Sequence, residues 1–139
     1  MNVRQIQISD FEMGLMDLLG QLTEAPNIKF EDFVKQFIKF GYNTRIYVIE
    51  HEKRIIGYGC IYIDYKFYRN CKNVGHIEDL IIDEKFRGNG YSKLIVKELI
   101  EFGKEKECYK IILNCKDHYV GFYQKMGFKL NDNTMYLQI

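Results

Sequence analysis

The hydrophobic positions near the amino terminus change period twice. From Val3 to Ile8 apolar and polar residues alternate, which is typical of a half-buried strand. Asp10 stands where a helix cap is expected, and the apolar stripe after it predicts a first helix running to about Gln21. A second stripe at helical spacing predicts another helix, which Gly41 ends. The stripes consist of Phe11, Leu15, Leu18, Leu19 and Leu22, and of Phe30, Phe33, Val34, Phe37 and Phe40.

A hairpin and a buried strand are predicted next. From Arg45 the period is two, and the polar turn before Arg54 leads into a run that extends to about Phe67. The strand His76 to Asp83 ends in nearly continuous apolar residues, which favours burial on both faces and a central place in the sheet. A glycine-containing segment then precedes an amphipathic helix. The apolar side of this helix consists of Tyr91, Leu94, Ile95, Leu99 and Phe102.

The last third of the chain predicts a short buried strand around Ile111 to Leu113, then a helix that Gly127 ends. Phe128 to Leu130 and Met135 to Ile139 predict a closing hairpin. The tally is about seven strands and four helices. Because a strand-helix-strand unit lies in the second half, we expect a mixed sheet of α/β or α+β type.

Composition favours a single domain spanning residues 1–139, since 47% of the residues are hydrophobic and no linker or repeat interrupts them. A net charge of +1 argues against a nucleic-acid partner. The longest uncharged apolar stretch, Ile55 to Ile63, is too short to span a membrane. The four cysteines form no zinc-site pattern, so we expect no metal and reduced, mostly buried thiols. With no signal peptide apparent, these features predict a cytoplasmic protein.

The strongest local signal is the loop Arg87-Gly88-Asn89-Gly90-Tyr91-Ser92, between the buried strand and the amphipathic helix. Its glycines allow a tight turn and close approach of a ligand, the helix start exposes N–H groups, and Arg87 adds a positive charge. The loop therefore suits a phosphate or pyrophosphate. Lys93 at the third glycine position disfavours a dinucleotide fingerprint. A glycine turn that only starts the helix is the alternative.

Two acidic residues, Glu78 and Asp79, enter the same buried strand. Strand alternation predicts that they project to opposite faces, so at most one shares the face of a given ligand. Carboxylates are costly to bury, which favours a functional site over a core position. A strand end that is wet on one side is the alternative.

Other candidates are weaker when taken singly. Tyr123 lies on an apolar helical stripe, where a tyrosine more often belongs to the core. The cluster from Lys66 to Arg69 offers cations for an anion, although solvated charge explains each residue slightly better when it is taken singly. No histidine pairs with a serine or cysteine nucleophile, so neither a catalytic triad nor a metal site is indicated.

Together these segments resemble the GNAT superfamily of acetyl-CoA-dependent N-acetyltransferases, and most closely its glucosamine 6-phosphate N-acetyltransferases. The resemblance implies the GNAT fold, with a mostly antiparallel mixed sheet of six or seven strands and about four helices. It also implies acetyl transfer from acetyl-CoA to the 2-amine of glucosamine 6-phosphate, for UDP-N-acetylglucosamine biosynthesis, in a homodimer. The matching segments are Leu19 to Glu24, Lys66 to Phe67, Val74 to Asp79, Arg87 to Gly90, Cys108 to Ile111 and Val120 to Phe128.

The resemblance also implies roles for individual residues. Backbone N–H groups after Asp79 would hold the pantetheine arm and polarise the thioester carbonyl, the glycine loop would hold the pyrophosphate, and Tyr123 would protonate the leaving thiolate. We expect Glu78 or Asp79 to handle the amine proton, with Asp79 orienting the amine. The cofactor-binding positions are Leu80, Ile81, Ile82, Arg87, Gly88, Asn89, Gly90, Tyr91, Ser92 and Asn114. The substrate-binding positions are Thr23, Lys66, Phe67, Tyr68, Arg69, Glu78, Asp79, Tyr109 and Lys110.

The chain departs from this pattern at several positions. Ser92 replaces a Gly or Ala, Asn114 replaces an acidic residue, Tyr119 replaces an Asn, and the carboxyl-terminal segment lacks a basic residue. Two alternatives therefore stay open. One is a GNAT enzyme that acetylates another small amine or a protein amino group, and the other is an acyl-CoA-binding module without turnover.

Overall fold

Five β-strands form one mixed sheet in the computed structural model, which describes residues 1–139. The strands lie in the order β1-β2-β3-β4-β5. Neighbours are antiparallel from β1 to β4, whereas β5 lies parallel to β4. The strands are β1 (Asn2–Gln5), β2 (Thr44–His51), β3 (Arg54–Asp64), β4 (Asn73–Ile82) and β5 (Cys108–Leu113). The helices are α1 (Leu15–Leu19), α2 (Phe30–Phe37), α3 (Tyr68–Cys71), α4 (Tyr91–Glu105) and α5 (Val120–Gln124), with 3-10 turns at Ile8–Met13, Glu84–Phe86 and Asp117–Tyr119.

The α+β class and the strand-helix-strand unit predicted from the sequence are confirmed. The β2-β3 hairpin turns on Glu52 and Lys53, whose φ angles of 48° and 60° are those of a type I′ turn. Strand β3 ends at Asp64 rather than near Phe67. The four residues of α3 then reverse the chain into β4, and two of them, Arg69 and Asn70, are left-handed, so α3 is a turn more than a regular helix.

The first predicted helix is wrong in its form. Gly14, with φ 77°, interrupts it and leaves a 3-10 turn followed by the five residues of α1. Asp10 is fully buried within that 3-10 turn and is not an exposed cap. Its carboxylate accepts two hydrogen bonds from the Arg4 guanidinium, at 2.7 and 3.0 Å, and one from the Gln7 amide at 2.8 Å. Because its charge is paired and hydrogen-bonded, Asp10 fixes the entry into α1 from the inside.

Two hydrophobic clusters cover the two faces of the sheet. The α4-side cluster lies between the sheet and α4, and the α1-side cluster lies between the opposite face and helices α1 and α2. Burying one such side chain stabilises the fold by about 1.5–3 kcal/mol. The α4-side cluster contains Ile49, Ile56, Ile61, Ile63, Ile77, Ile82, Ile95, Val96, Leu99 and Phe102. The α1-side cluster contains Leu15, Leu18, Phe33, Ile46, Val48, Ile55, Tyr58, Cys60 and Ile81.

Glycines on β3 let helix α4 lie against the strand backbone. A Cβ added at Gly59 would stand 2.5 Å from Cγ2 of Ile95, and one at Gly57 would stand 3.1 Å from Cδ1 of the same side chain. Ile95 is fully buried and has no room to retreat. This close approach fixes α4, and with it the loop at its amino terminus.

The predicted closing hairpin is absent, and the sheet has five strands instead of seven. Residues 128–139 form no helix or strand. An isolated two-stranded hairpin is marginal in water, and these residues find no partner on the sheet. Several of their apolar side chains are therefore exposed, namely those of Leu130, Met135, Tyr136, Leu137 and Ile139.

The cysteine prediction is half right. All four thiols are free, but only Cys60 is buried; Cys108 is half-buried, and Cys71 and Cys115 are exposed. Cys60 is buried because it lies within the central strand β3, whereas Cys71 lies in the turn α3 and Cys115 follows β5. No group of His, Cys, Asp or Glu side chains is arranged to hold a metal ion. None of the helices has the length and apolar character needed to cross a membrane.

We predict that Gly59→Ala destabilises the protein by about 1–3 kcal/mol, because the new methyl group overpacks the contact with Ile95. Urea unfolding measures the change in the free energy of unfolding. Gly121→Ala in α5 is the matched control, since a Cβ there meets nothing within 4 Å and alanine favours a helix. Equal stability of the Gly59 variant and the wild type would contradict the proposed packing.

Candidate active site

Strand β4 extends beyond the end of its parallel neighbour. The pairing with β5 ends at Ile77 opposite Leu113, while β4 continues to Ile82 in contact with β3 alone. Backbone groups on the β5 side of residues 78–82 therefore lack a strand partner, and a cleft of about 620 Å³ opens there. The cleft is lined by Gln21, Leu22, Ile77, Glu78, Asp79, Leu80, Ile81, Ile82, Phe86, Arg87, Gly88, Gly90, Tyr91, Ser92, Leu113, Asn114, Cys115, Lys116, Tyr119, Phe122 and Tyr123.

A β-bulge at Asp79 changes which face each β4 residue occupies. Glu78 pairs with Cys60 and Ile81 pairs with Tyr58, so Asp79 and Leu80 together oppose Gly59. Asp79 has the left-handed φ angle of 57°. After the bulge, Leu80 packs against the α4-side cluster and Ile81 joins the α1-side cluster.

The bulge overturns the prediction that at most one of the two acids shares a ligand's face. Glu78 and Asp79 both line the cleft. Simple alternation fails because one extra residue is inserted between them and the next paired position. Two adjacent carboxylates therefore face the same open space.

The two carboxylates differ in their surroundings. Asp79 is exposed, whereas Glu78 is half-buried. Burial raises the pKa of Glu78 above its ordinary value, the charge of Asp79 raises it further, and His76 opposes both effects. A carboxylate with a raised pKa accepts a proton more readily, as a general base requires.

The loop Arg87–Ser92 opens into the cleft as predicted. Gly88 and Gly90 have φ angles of 81° and 80°, and a Cβ added at either would meet nothing within 4 Å. The loop is held from behind, since Nε of Arg87 donates to the Ile82 carbonyl at 3.0 Å. Asn89 also braces the loop, because its side-chain amide donates to the carbonyls of Phe86 and Arg87, at 3.0 and 3.3 Å. Of the predicted loop residues, only Asn89 does not line the cleft.

The amino terminus of α4 faces the same space. The helix has 15 residues, begins at Tyr91 and has no side-chain cap at Gly90. Its first-turn amides therefore lack intrahelical acceptors and carry the positive end of the helix dipole. The uncapped amides, the exposed glycine backbone and Arg87 together suit an anion with several oxygens, such as a pyrophosphate.

Tyr123 closes the cleft from the side of α5. Burial raises the pKa of its phenol to about 12, and the ring packs against Phe122 and Phe128. The hydroxyl therefore stays protonated at neutral pH and is available as a proton donor. Asn114 also lines the cleft, and its side-chain carbonyl accepts a hydrogen bond of 2.7 Å from Thr134.

Several cleft residues were missed from the sequence. Phe86 lies just before the glycine loop, Lys116 follows β5, and Gln21 lies in the matching segment Leu19 to Glu24 but was assigned no role. Lys116 had a usable signal, since residues after the carboxyl end of a parallel strand commonly line ligand sites. Gln21 reaches the site only through folding, where its side-chain carbonyl accepts from the Glu84 amide at 3.0 Å.

The remaining predicted substrate residues do not line this cleft. Lys66 to Arg69 follow β3, and Tyr109 and Lys110 begin β5, so both groups lie beside the start of β4. Val74, the partner of Lys110, and Glu78 are four positions apart, which is about 13 Å along a strand. The Arg69 guanidinium lies 4.6 Å from the centre of the Tyr109 ring, and the Lys66 ammonium pairs with Asp64 at 2.7 Å. Thr23 also lies outside, next to the cleft-lining Leu22.

Comparison with known proteins places this arrangement in context. The model of the acetyltransferase (GNAT) family matches residues 3–128. A glucosamine 6-phosphate N-acetyltransferase of Arabidopsis thaliana is 39% identical over 130 residues, covering 90% of this chain and 87% of that protein. One of Trypanosoma brucei brucei is 33% identical over 142 residues, covering 100% and 96%. The crystal structure of the Arabidopsis thaliana enzyme superposes with a TM-score of 0.95 at 37% identity, covering 99% of this chain and 97% of that one.

We predict that inorganic pyrophosphate at millimolar concentration raises the melting temperature, because a ligand that binds only the folded state stabilises it. Gly90→Val should abolish this rise by blocking the anion and straining the loop. Gly127→Val is the matched control. It has the same kind of left-handed backbone and open surroundings but lies outside the cleft, so it should keep the rise. An undiminished rise in the Gly90 variant would remove the loop from the anion site.

Proposed function

This chain belongs to the acetyltransferase (GNAT) family, and we propose that it transfers the acetyl group of acetyl-CoA to the 2-amine of glucosamine 6-phosphate. The observation that carries the proposal is one cleft that combines an anion-binding loop, unpaired strand backbone, two carboxylates and a protonated phenol. Relatives that match the chain almost from end to end and bear the name of this enzyme support the acceptor. We also propose that residues 1–139 act as one GNAT domain.

The cofactor side of the cleft suits acetyl-CoA. Gly88 and Gly90 present bare backbone to the opening, and the α4 amides and Arg87 supply positive charge for the pyrophosphate. Beyond Ile77 the edge of β4 that faces away from β3 has no strand partner, so alternate residues between Leu80 and Ile82 offer backbone groups to the pantetheine amides, apart from the Ile82 carbonyl, which accepts from Nε of Arg87. An N–H of this edge directed at the thioester carbonyl would stabilise the negative charge that develops on its oxygen. When bound, acetyl-CoA supplies the activated acetyl group.

The reaction needs two proton transfers, one away from the acceptor ammonium and one to the departing thiolate. An ammonium cannot attack a carbonyl, so Glu78 or Asp79 must take one proton, directly or through water. Tyr123 lies in the same cleft and remains protonated, so it can protonate the departing thiolate. The bulge at Asp79 brings both carboxylates to the side of β4 that faces Tyr123.

We propose that the enzyme is a homodimer. The cations Lys66, Arg69 and Lys110 lie beside the start of β4, about 13 Å along the strand from Glu78, where they suit the sugar phosphate of a neighbouring copy better than their own cleft. Strand β5 is an edge strand, and exposed edges are commonly covered by another strand. The apolar, unpaired segment from Met135 to Ile139 is a suitable partner for such pairing between copies.

The compartment we propose is the cytoplasm. The support is chemical, since four free cysteines, two of them exposed, suit a reducing environment. The partners in this proposal are acetyl-CoA, the amino sugar phosphate and a second copy of the chain.

We predict that glucosamine 6-phosphate is preferred over glucosamine and over a peptide amine in a thiol-release assay with acetyl-CoA. A charge-assisted contact to the phosphate is worth about 1.5–3 kcal/mol, which corresponds to roughly a 10- to 100-fold higher kcat/KM. Preference for the peptide amine would favour a protein acetyltransferase. Coenzyme binding without thiol release from any acceptor would favour a non-catalytic module.

We predict that Tyr123→Phe lowers kcat by about 100-fold or more, because the thiolate loses its proton donor. The dissociation constant of acetyl-CoA, measured by calorimetry, should change little, since the ring and its packing remain. Tyr42→Phe, which removes an exposed hydroxyl elsewhere, is the control and should leave kcat unchanged. Equal loss of binding and turnover in the Tyr123 variant would assign the phenol to packing.

A further inference from the structure

His76 carries a buried polar atom that the proposed reaction does not use. Its Nε2 is shielded from solvent and makes no hydrogen bond. The nearest charged atom is Oδ2 of Asp64, at 3.7 Å. The imidazole lies flat against the Tyr62 ring, with centroids 4.5 Å apart and planes inclined by only 6°. A buried polar atom that makes no hydrogen bond is unusual in a folded protein, and this one lies on the strand that carries Glu78 and Asp79.

The strand register places His76 next to Glu78. The two residues are two positions apart on β4, before the bulge, and so project from the same face of the sheet. Their partners on β3, Tyr62 and Cys60, lie on that face as well. On β5 the partner of His76 is the uncharged Ile112. The charged and titratable groups around the imidazole are Tyr62, Asp64, Lys66 and Glu78, with Lys110 farther along β5.

We propose that His76 is a positioning residue that makes Glu78, rather than Asp79, the group that takes the proton from the acceptor amine. The inference rests on the proposed function and concerns the choice between Glu78 and Asp79 as the base, which the sequence left open. Tyr62 fixes the plane of the imidazole, and Asp64 faces its Nε2 from β3. The ring is thereby held as a rigid neighbour of the Glu78 carboxylate.

The reason is electrostatic. Burial and the adjacent Asp79 both favour the uncharged form of Glu78, in which it accepts no proton. When the imidazole of His76 carries a proton, its charge favours the carboxylate form of Glu78 and so keeps Glu78 available as a base. Asp79 also lines the cleft, but it is exposed and lies at the bulge, whereas Glu78 is half-buried and two positions from His76 along the regular part of β4.

The protons and bonds balance in this scheme. Glu78 takes one proton from the ammonium and later releases it to solvent. The amine nitrogen then forms the new C–N bond, and the C–S bond of the thioester breaks. Tyr123 gives its proton to the thiolate and regains one from the same nitrogen. The products are the amide, the free thiol and one proton.

The test is the pH dependence of kcat/KM for His76→Gln, which removes the charge and keeps a polar side chain. Loss of the charge raises the pKa of Glu78, so more of it is protonated at low pH and the acid limb of the profile moves to higher pH. We expect a shift of about one pH unit, which is about a tenfold loss of kcat/KM below the limb, with recovery at high pH. The ionisation of the substrate amine is common to both profiles and cancels in the comparison.

His51→Gln is the matched control, because it makes the same chemical change at the β2-β3 turn, where the ring packs against Phe86 beside the glycine loop and not against Glu78. It should leave the profile unmoved. In a Glu78→Gln background, His76→Gln should cause no further loss, since His76 acts through Glu78. The KM for acetyl-CoA should not change in any of these variants.

Three results would overturn the inference. One is an active, folded His76→Gln enzyme whose acid limb coincides with that of the wild type. Another is an additive loss in the Glu78→Gln background, which indicates a purely structural role. The third is loss of the acid limb in Asp79→Asn together with its retention in Glu78→Gln. This comparison shows which carboxylate takes the proton even if His76→Gln does not fold. If the wild type fails to acetylate any amine, the proposed function fails instead.

Discussion

The gap between β4 and β5 is the feature on which the rest of the molecule depends. Backbone N–H and C=O groups need partners, and a strand that outruns its neighbour leaves a row of them unpaired. Here the pairing of β4 with β5 ends at Ile77, and β4 continues to Ile82. A ligand that carries its own amides can form the backbone hydrogen bonds that β5 does not supply. The unpaired edge of β4 can therefore serve as a binding site. The bulge at Asp79 adds the chemistry, because it directs two carboxylates into the gap.

Packing on the other side of the sheet holds the gap in place. Helix α4 connects β4 to β5, and its close contact with Gly57 and Gly59 fixes where its amino terminus points. That terminus and the loop before it stand at the mouth of the gap, so the anion-binding groups and the unpaired strand edge face one space. The buried Arg4–Asp10 pair fixes the opposite layer, which ends in the cleft-lining residues Gln21 and Leu22. The site is therefore assembled from elements whose positions the two clusters determine.

Sequence patterns predicted the elements that are stabilised locally. The apolar end of β4, the glycine loop and the stripe of α4 lie next to one another in the chain, and each has a signal of its own. The bulge had none, because a left-handed aspartate looks like any other strand residue until its register is known. Alternation therefore misplaced Asp79 relative to Glu78.

The bulge was present but not predicted, whereas the closing hairpin was predicted but is absent. Met135 to Ile139 has the composition of a strand, yet it pairs with neither edge of its own chain's sheet. An alternating apolar pattern indicates that a segment can bury one face as a strand. It does not indicate which strand, in this chain or another, would pair with it. Lys66, Arg69 and Lys110 were predicted for the site and lie outside this chain's own cleft, and the homodimer proposed above would give them a role in a neighbouring copy. Where the fold depends on contacts distant in sequence or on a second copy, local pattern is not sufficient.

The most direct test of the account is amide hydrogen exchange with and without coenzyme A. We predict that the coenzyme slows exchange of the amides between Leu80 and Ile82 that face away from β3, and of the amides in the glycine loop and the first turn of α4. The amides of β1 and β2 should be unaffected, because they lie at the far edge of the sheet. Unchanged exchange at Leu80 to Ile82, with protection appearing elsewhere, would contradict the claim that the gap beside β4 is the coenzyme site.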